Sequence, residues 1–279
     1  MLKDYDAVVT QAKKLPGRMF FLEFAAPELA KKCAPGEFVM IQVESGTDPF
    51  LRRAFSVFYT HPKRGLLTIL GKSYGFGTAL LREKKVGDRV RMVGPLGNRF
   101  GRAKKKEQTL LVAGGVGLAP LYFYQQDLAK SLRRDTQLFL GVRSKDEALT
   151  LKKLMPSAMN LQFATDDGSY GYRGRVTDLL ERWLEKNKNG SPVRMLSCGP
   201  DPMMAKTVEI AKTLNLPIEV SLETAMACGY GICIGCAVKS IPNEKMESEF
   251  PKTADGFIYQ RACIDGPVFN GHQLAWEAD

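Results

Sequence analysis

Little in these 279 residues suits a secreted scaffold, a membrane span or a nucleic-acid binder. Six cysteines are too few to build a disulfide framework at this length. No apolar segment follows Met1-Leu2-Lys3-Asp4-Tyr5-Asp6, so no secretory signal is expected. The longest uncharged stretch, Gln108 to Gln126, carries Gly114, Gly115, Gly117 and Pro120 in its middle. A membrane span needs about 20 mostly apolar residues; this one reads as strand, glycine turn and helix. Lys and Arg outnumber Asp and Glu 40 to 30, a net charge of +10, but they lie scattered as doublets, and Lys104-Lys105-Lys106 is the one triplet. Without a basic block or a basic stripe interleaved with aromatics, nucleic acid is not the expected partner. The excess charge still suits an anionic cofactor. Internal repeats and low-complexity tracts are absent. A cytoplasmic location is expected, where thiols stay reduced and free for metals.

Hydrophobic residues make up 44% and charged residues 25%, as in ordinary globular proteins, and the length suggests two domains with room for a small third. Six short apolar runs lie in the first hundred residues: Tyr5–Thr10, Met19–Phe24, Phe38–Val43, Ala54–Thr60, Leu66–Leu70 and Arg89–Val93. Gly, Pro and Asp turns separate them, the spacing of a barrel or sandwich. A short helix is expected from Thr78. After residue 104 strands alternate with helices: strands at Thr109–Ala113, Gln137–Val142, Leu161–Thr165, Val193–Ser197 and Ile218–Leu222, helices at Leu118–Leu132, Asp146–Leu154, Arg175–Lys186 and Asp201–Leu214. That rhythm predicts a parallel sheet covered by helices. The final stretch is short, loop-rich and holds four of the six cysteines, so it needs a metal or cross-links to fold. The expected fold is multidomain: an N-terminal antiparallel β-barrel (1–104), an α/β parallel-sheet nucleotide domain (105–221) and a small C-terminal module (222–279).

The strongest chemical signal is Cys228-x4-Cys233-x2-Cys236 followed by Cys263. This is the plant-type [2Fe–2S] spacing. Gly229, Gly231 and Gly235 interleave the ligands, leaving the backbone free to wrap a cluster and turn N–H groups toward its sulfurs. Structural zinc on four thiolates and four unrelated buried thiols are the alternatives. The 26-residue gap before Cys263 makes it the least constrained ligand. Cys33 reads as an ordinary thiol.

Four further motifs suggest nucleotides. Arg53-Ala54-Phe55-Ser56 opens a strand and offers a cation for a pyrophosphate, an aromatic to pack on a ring and a hydroxyl to bond it; by itself it is also an ordinary strand. Gly75-Phe76-Gly77-Thr78 precedes the short helix, as an anion site or as a capped glycine turn. Gly114-Gly115-Val116-Gly117-x-Ala119-Pro120 follows the first strand of the α/β region and opens a helix, the setting of dinucleotide pyrophosphate binding. Cys198-Gly199-Pro200 ends a later strand at the carboxyl edge, where such sheets bind ligands.

In this order the motifs resemble the ferredoxin-reductase superfamily, and with the appended cysteine module the chain is most similar to the electron-transfer subunit of type B dihydroorotate dehydrogenase. Gly94-Pro95-Leu96-Gly97-Asn98 and Asp265-Gly266-Pro267-Val268-Phe269 also match that pattern. The resemblance implies FAD held by Arg53, Ala54, Phe55 and Ser56, by Leu70, Gly71 and Lys72, and by Gly77 and Thr78. It implies NAD at Gly114, Gly115, Gly117, Gly199 and Pro200, with Cys198 beside the hydride path, and a cluster on Cys228, Cys233, Cys236 and Cys263. Dihydroorotate would reduce FMN on a separate catalytic subunit, in pyrimidine biosynthesis, and electrons would pass through the cluster and FAD to NAD⁺. A heterotetramer of two catalytic and two electron-transfer chains is implied. Similar subunits serve NADPH-linked sulfide or ferredoxin oxidoreductases and soluble hydrogenases. Arg143, Ser144 and Lys145 would suit a 2′-phosphate or stand as solvated charges; the resemblance favours NAD. A non-catalytic interaction protein with structural zinc is the remaining class. The chain departs from the family in having Ala54 where Pro is common, and in a longer interval from Cys236 to Cys263.

Overall fold

The computed structural model describes residues 3–44, 46, 48–187 and 193–276. Its first strands are β1 (Asp4–Lys14), β2 (Met19–Ala25), β3 (Phe38–Ile41), β4 (Arg53–His61), β5 (Leu66–Lys72) and β6 (Arg89–Leu96). They close into an antiparallel barrel in the order β1-β2-β5-β4-β3-β6, with β6 pairing back onto β1. Alternation along the strands sends Phe20, Leu22, Phe24, Val57, Leu67 and Ile69 inward. Closure leaves no free sheet edge, which is why these short strands make a barrel rather than a sandwich. β1 runs past its apolar run because Gln11 to Lys14 keep pairing with β2.

The helix Phe76–Glu83 starts ahead of the expected Thr78. Gly75 takes the cap position, and the Thr78 hydroxyl accepts from the amides of Tyr74 (3.0 Å) and Gly75 (3.1 Å). Thr78 therefore closes the turn from inside the helix.

The second half contributes β7 (Gln108–Gly114), β8 (Thr136–Val142), β9 (Leu161–Thr165), β10 (Tyr172–Arg173), β11 (Val193–Cys198) and β12 (Ile218–Ser221). The tail adds β13 (Ala237–Ser240), β14 (Ile258–Arg261) and β15 (Val268–Asn270). One seven-stranded sheet has the order β10-β9-β8-β7-β11-β12-β15, parallel except for β15, which pairs antiparallel with β12. Strand order switches at β7 and β11, placing their carboxyl ends side by side.

The helix expected over Leu118–Leu132 ends at Asp127, and a single turn, Lys130–Arg133, follows. Arg133 Nη2 donates to the Gln126 (2.6 Å) and Leu128 (3.2 Å) carbonyls, satisfying the helix end. Leu118–Asp127 is buried almost all round because it lies between the sheet and the barrel. Tyr122 stacks on Phe58 of β4 at 4.8 Å, and Phe123 meets Tyr59 edge-on at 6.4 Å.

The tail is fastened to the barrel by Asn98. Its amide donates to the Asp265 (3.1 Å) and Val268 (2.8 Å) carbonyls, and its oxygen accepts from Val268 N (2.9 Å). Thus the two motifs around Asn98 and Asp265 meet. No helix among the described residues is long and apolar enough to cross a membrane.

Candidate functional site

β4 and β5 are barrel neighbours, paired with Val57 opposite Ile69, so Ser56 and Leu70 lie together. Ala54, Phe55 and Ser56 of β4, Leu70, Gly71 and Lys72 of β5, and Thr78 line one cleft of about 270 Å³. Its far wall is Val116 and Ala119 from the glycine turn and its helix, and Leu222, Glu223, Thr224 and Met226 from the segment after β12. Thr224 Oγ1 is buried there with no protein partner, so a polar ligand is needed to satisfy it. A long apolar slot with a few aimed polar groups fits a flavin ring.

Arg53 and Gly77 stand together beside that cleft. A Cβ on Gly77 would come within 2.6 Å of Arg53 Nη2, so any side chain there would push the guanidinium away from this turn. Arg53 Nη1 donates to the Leu51 carbonyl and, at 3.3 Å, to Arg52 O. The result is a braced cation at the start of a helix, suited to a diphosphate.

A second cleft, about 640 Å³, opens at the carboxyl ends of the sheet strands and includes Gly114, Gly115, Gly199 and Pro200. The two expected turns pack directly on one another. A Cβ on Gly117 would fall 2.3 Å from Cys198 O, and one on Gly114 would fall 2.7 Å from Pro200 Cδ. Gly117 therefore lies under the floor, and its job is to let the Cys198 turn close in. Arg143 also lines this cleft, as does Asp166.

Lys72, Tyr74, Val116 and Glu223 line both clefts, which makes them their junction. Cys198 lines neither: its thiol is buried, 4.0 Å from Glu223 Oε1, and burial pushes it well above the usual thiol range, with the Glu223 charge adding to the rise. Glu223 is open to the cleft yet surrounded by protein on the other sides. That enclosure raises its carboxyl, the Asp201 carboxylate adds to the rise, and Lys72 opposes it. Glu223, Tyr74, Thr224 and Met226 were not expected from sequence. A lone acid after a strand carries no pattern; its place at a carboxyl edge, five residues before Cys228, was the only available hint.

The cysteine loop packs on the barrel: a Cβ on Gly229 would sit 2.5 Å from Met40 of β3. The four thiols fall into two pairs. Cys228 and Cys233 lie on the outer side, where the amides of Tyr230 and Gly235 each point at a sulfur at 3.5 Å. Cys236 and Cys263 are buried and adjacent, Ala262 N bonding the Cys236 carbonyl at 2.9 Å. Burial opposes ionisation of Cys228, but hydrogen bonds from Cys233, Tyr230 and Ile232 outweigh it and bring the thiol down to about 6. Burial and the neighbouring Cys236 push Cys263 up to about 12, so that thiolate forms only with a metal to take the charge. Ile234, a β-branched residue, adopts φ +59° between Cys233 and Cys236, a backbone strain of the kind that clusters at ligand clamps. Among the described residues no three metal-ligating side chains converge on one point; the two thiol pairs with aimed amides are the donor set that would hold an iron–sulfur cluster.

Residues 223–275 match the family described as the iron-sulfur cluster binding domain of dihydroorotate dehydrogenase B, and residues 111–209 match the oxidoreductase NAD-binding domain. The first match favours iron–sulfur over structural zinc. The chain is 35% identical over 277 residues, 99% of its length and all of the relative's, to the electron transfer subunit of dihydroorotate dehydrogenase B (NAD(+)) from Desulforamulus reducens. It is 36% identical over 272 residues to the subunit of that name from Geobacillus kaustophilus, covering 95% of this chain and 96% of the relative. Among solved structures, a chain of an NADH-dependent reduced ferredoxin-NADP oxidoreductase superposes with a TM-score of 0.80 at 29% identity, over 97% of this chain and 90% of the other.

Proposed function

Because the chain belongs to the family of electron-transfer subunits of dihydroorotate dehydrogenase B, oxidoreductase components with an iron–sulfur and an NAD-binding domain, we propose that it links a partner dehydrogenase subunit to NAD⁺ through a [2Fe–2S] cluster and FAD. One observation carries this reading. The flavin-shaped cleft shares Lys72, Tyr74, Val116 and Glu223 with the nucleotide cleft on one side, and on the other reaches Met226, two residues before Cys228. FAD, when bound, exchanges hydride with a nicotinamide and single electrons with a cluster.

In this reading residues 1–104 bind FAD, 105–221 bind NAD and 222–279 hold the cluster. Arg53 and Gly77 receive the FAD diphosphate; Ala54, Phe55, Ser56, Leu70, Gly71, Lys72 and Thr78 bed the ring. Gly114, Gly115, Gly199 and Pro200 receive NAD, with Gly117 beneath them. Cys198 acts from behind, holding Glu223 at the junction where donor and acceptor must come within about 3–3.5 Å. Cys228, Cys233, Cys236 and Cys263 are the cluster ligands. The partner carries FMN and the dihydroorotate site, two copies of each subunit assemble, and the complex is cytoplasmic. A cluster serves no purpose in FAD–NAD exchange alone, so one-electron traffic must leave the chain.

Anaerobically purified protein should contain two irons and two acid-labile sulfides per chain, and FAD. Alone it should reduce artificial acceptors with NADH and leave dihydroorotate untouched; adding the FMN subunit should restore NAD⁺-dependent dihydroorotate oxidation. Zinc without sulfide, or dihydroorotate oxidation by the isolated chain, overturns the proposal. The likeness to the ferredoxin–NADP oxidoreductase chain favours one second reading, a ferredoxin-linked paralogue, which failure to bind any FMN dehydrogenase subunit would support.

A further inference from the structure

The two faces of β3 serve different cores. Val39 and Ile41 point into the barrel and join Phe20, Leu22 and Ile69. Phe38 and Met40 alternate with them and point outward, into the core shared with the sheet and the tail. Phe38 lines the flavin-shaped cleft, and so does Ala54, the residue opposite Met40 on β4. Met40 itself is fully buried, in the same core as Cys236 and Cys263. The loop after Cys228 lies directly on its side chain. A Cβ on Gly229 would sit 2.5 Å from Met40 Cγ, 3.0 Å from Sδ and 3.4 Å from Cε, so the backbone beside Cys228 runs along the whole thioether. Gly229 holds φ +83°, a conformation that favours glycine.

We propose that Met40 is a positioning residue for the cluster: it seats the Cys228 loop on the barrel and keeps water from beneath that loop. The inference rests on the iron–sulfur reading of the four cysteines. An unbranched thioether adapts to the irregular surface above it, and β3 is held on both sides, by β4 and β6. One strand thus gives the flavin cleft a wall through Phe38 and the cysteine loop a seat through Met40, two residues apart. An apolar shell around a metal centre governs solvent access, and with it the redox potential. A cluster that gains one electron gains one negative charge, so water admitted under the loop favours the reduced form.

The test uses the full chain, purified anaerobically. Met40→Ala should weaken iron retention against a chelator about 10- to 100-fold, as for other supports behind metal ligands. The midpoint potential of the retained cluster, read by EPR-monitored titration, should rise. Met40→Leu keeps the volume and should restore both. Val39→Ala opens a gap on the inner face of the same strand, away from the cysteines, and should leave both at wild-type values. Circular dichroism establishes folding; should Met40→Ala not fold, Met40→Val carries the same comparison. Wild-type retention and potential in the folded truncation, or an equal loss in Val39→Ala, would overturn the role of Met40 while leaving the cluster standing. A wild type without iron and sulfide would overturn the iron–sulfur reading itself, and the seat with it.

Discussion

Arg53→Ala removes the only side chain braced between the Leu51 carbonyl and the Gly77 turn. Nη1 is already engaged by Leu51 and Arg52, which leaves the Nη2 and Nε edge to face a phosphate. Hydrogen bonds to a charged group are worth about 1.5–3 kcal/mol, so FAD affinity should fall roughly 10- to 150-fold. The variant should weaken FMN as well, because both flavins place a phosphate there. Arg53→Lys keeps the charge and loses the fork, and should recover part of the loss. Raising the salt should narrow the gap between wild type and alanine variant, since the site is open enough to be screened. The measurement is FAD dissociation by fluorescence at low ionic strength, with circular dichroism to establish folding. Full FAD retention in the folded variant at low flavin concentration would refute the assignment.

Gly117→Ala should cost about 1–3 kcal/mol, the usual penalty of overpacking, because its methyl would meet the Cys198 carbonyl at 2.3 Å; urea unfolding checks it. Cys198→Ala should slow NADH-to-dye turnover with the flavin and cluster spectra unchanged, and unchanged turnover would leave Cys198 a packing residue. Glu223 holds its proton to higher pH in the folded chain than in the unfolded one. The native state therefore binds more protons across that interval, and stability falls as pH rises through it; Glu223→Gln should flatten this slope in urea midpoints taken from about pH 4 upward. Asn98→Ala deletes three hydrogen bonds to the tail and should lower stability by about 1–3 kcal/mol, with earlier proteolysis around residues 265–268.

The barrel strands and the parallel strands were legible because period-two runs and turn residues are local signals. The cysteine spacing was legible for the same reason, since three of the four cysteines lie within nine residues. β15 was not: three residues pair with β12 only because Asn98 and the Gly97 turn bring them there. The helix Pro27–Lys32 is too short to show a period. Leu118–Asp127 shows no polar face from which to judge its end, being packed on both sides. At the site, the glycine motifs announced two turns but not that Gly117 would carry the Cys198 turn on its back. Cys198 stood out in a motif, while Glu223, the group that reaches the cleft, did not.

The seam between barrel and sheet also determines how a nucleotide can enter. Swinging the two halves apart would bare Phe58, Tyr59, Tyr122 and Phe123 together. At about 1.5–3 kcal/mol for each large apolar side chain, the sum rivals the ~5–15 kcal/mol that keeps a whole domain folded. A hinge is therefore not available at this joint. The flavin and nucleotide clefts keep a constant separation, like two jaws cast in one piece. Exchange of NAD must proceed by movement of the ligand and of exposed side chains such as Tyr74, with the frame standing still.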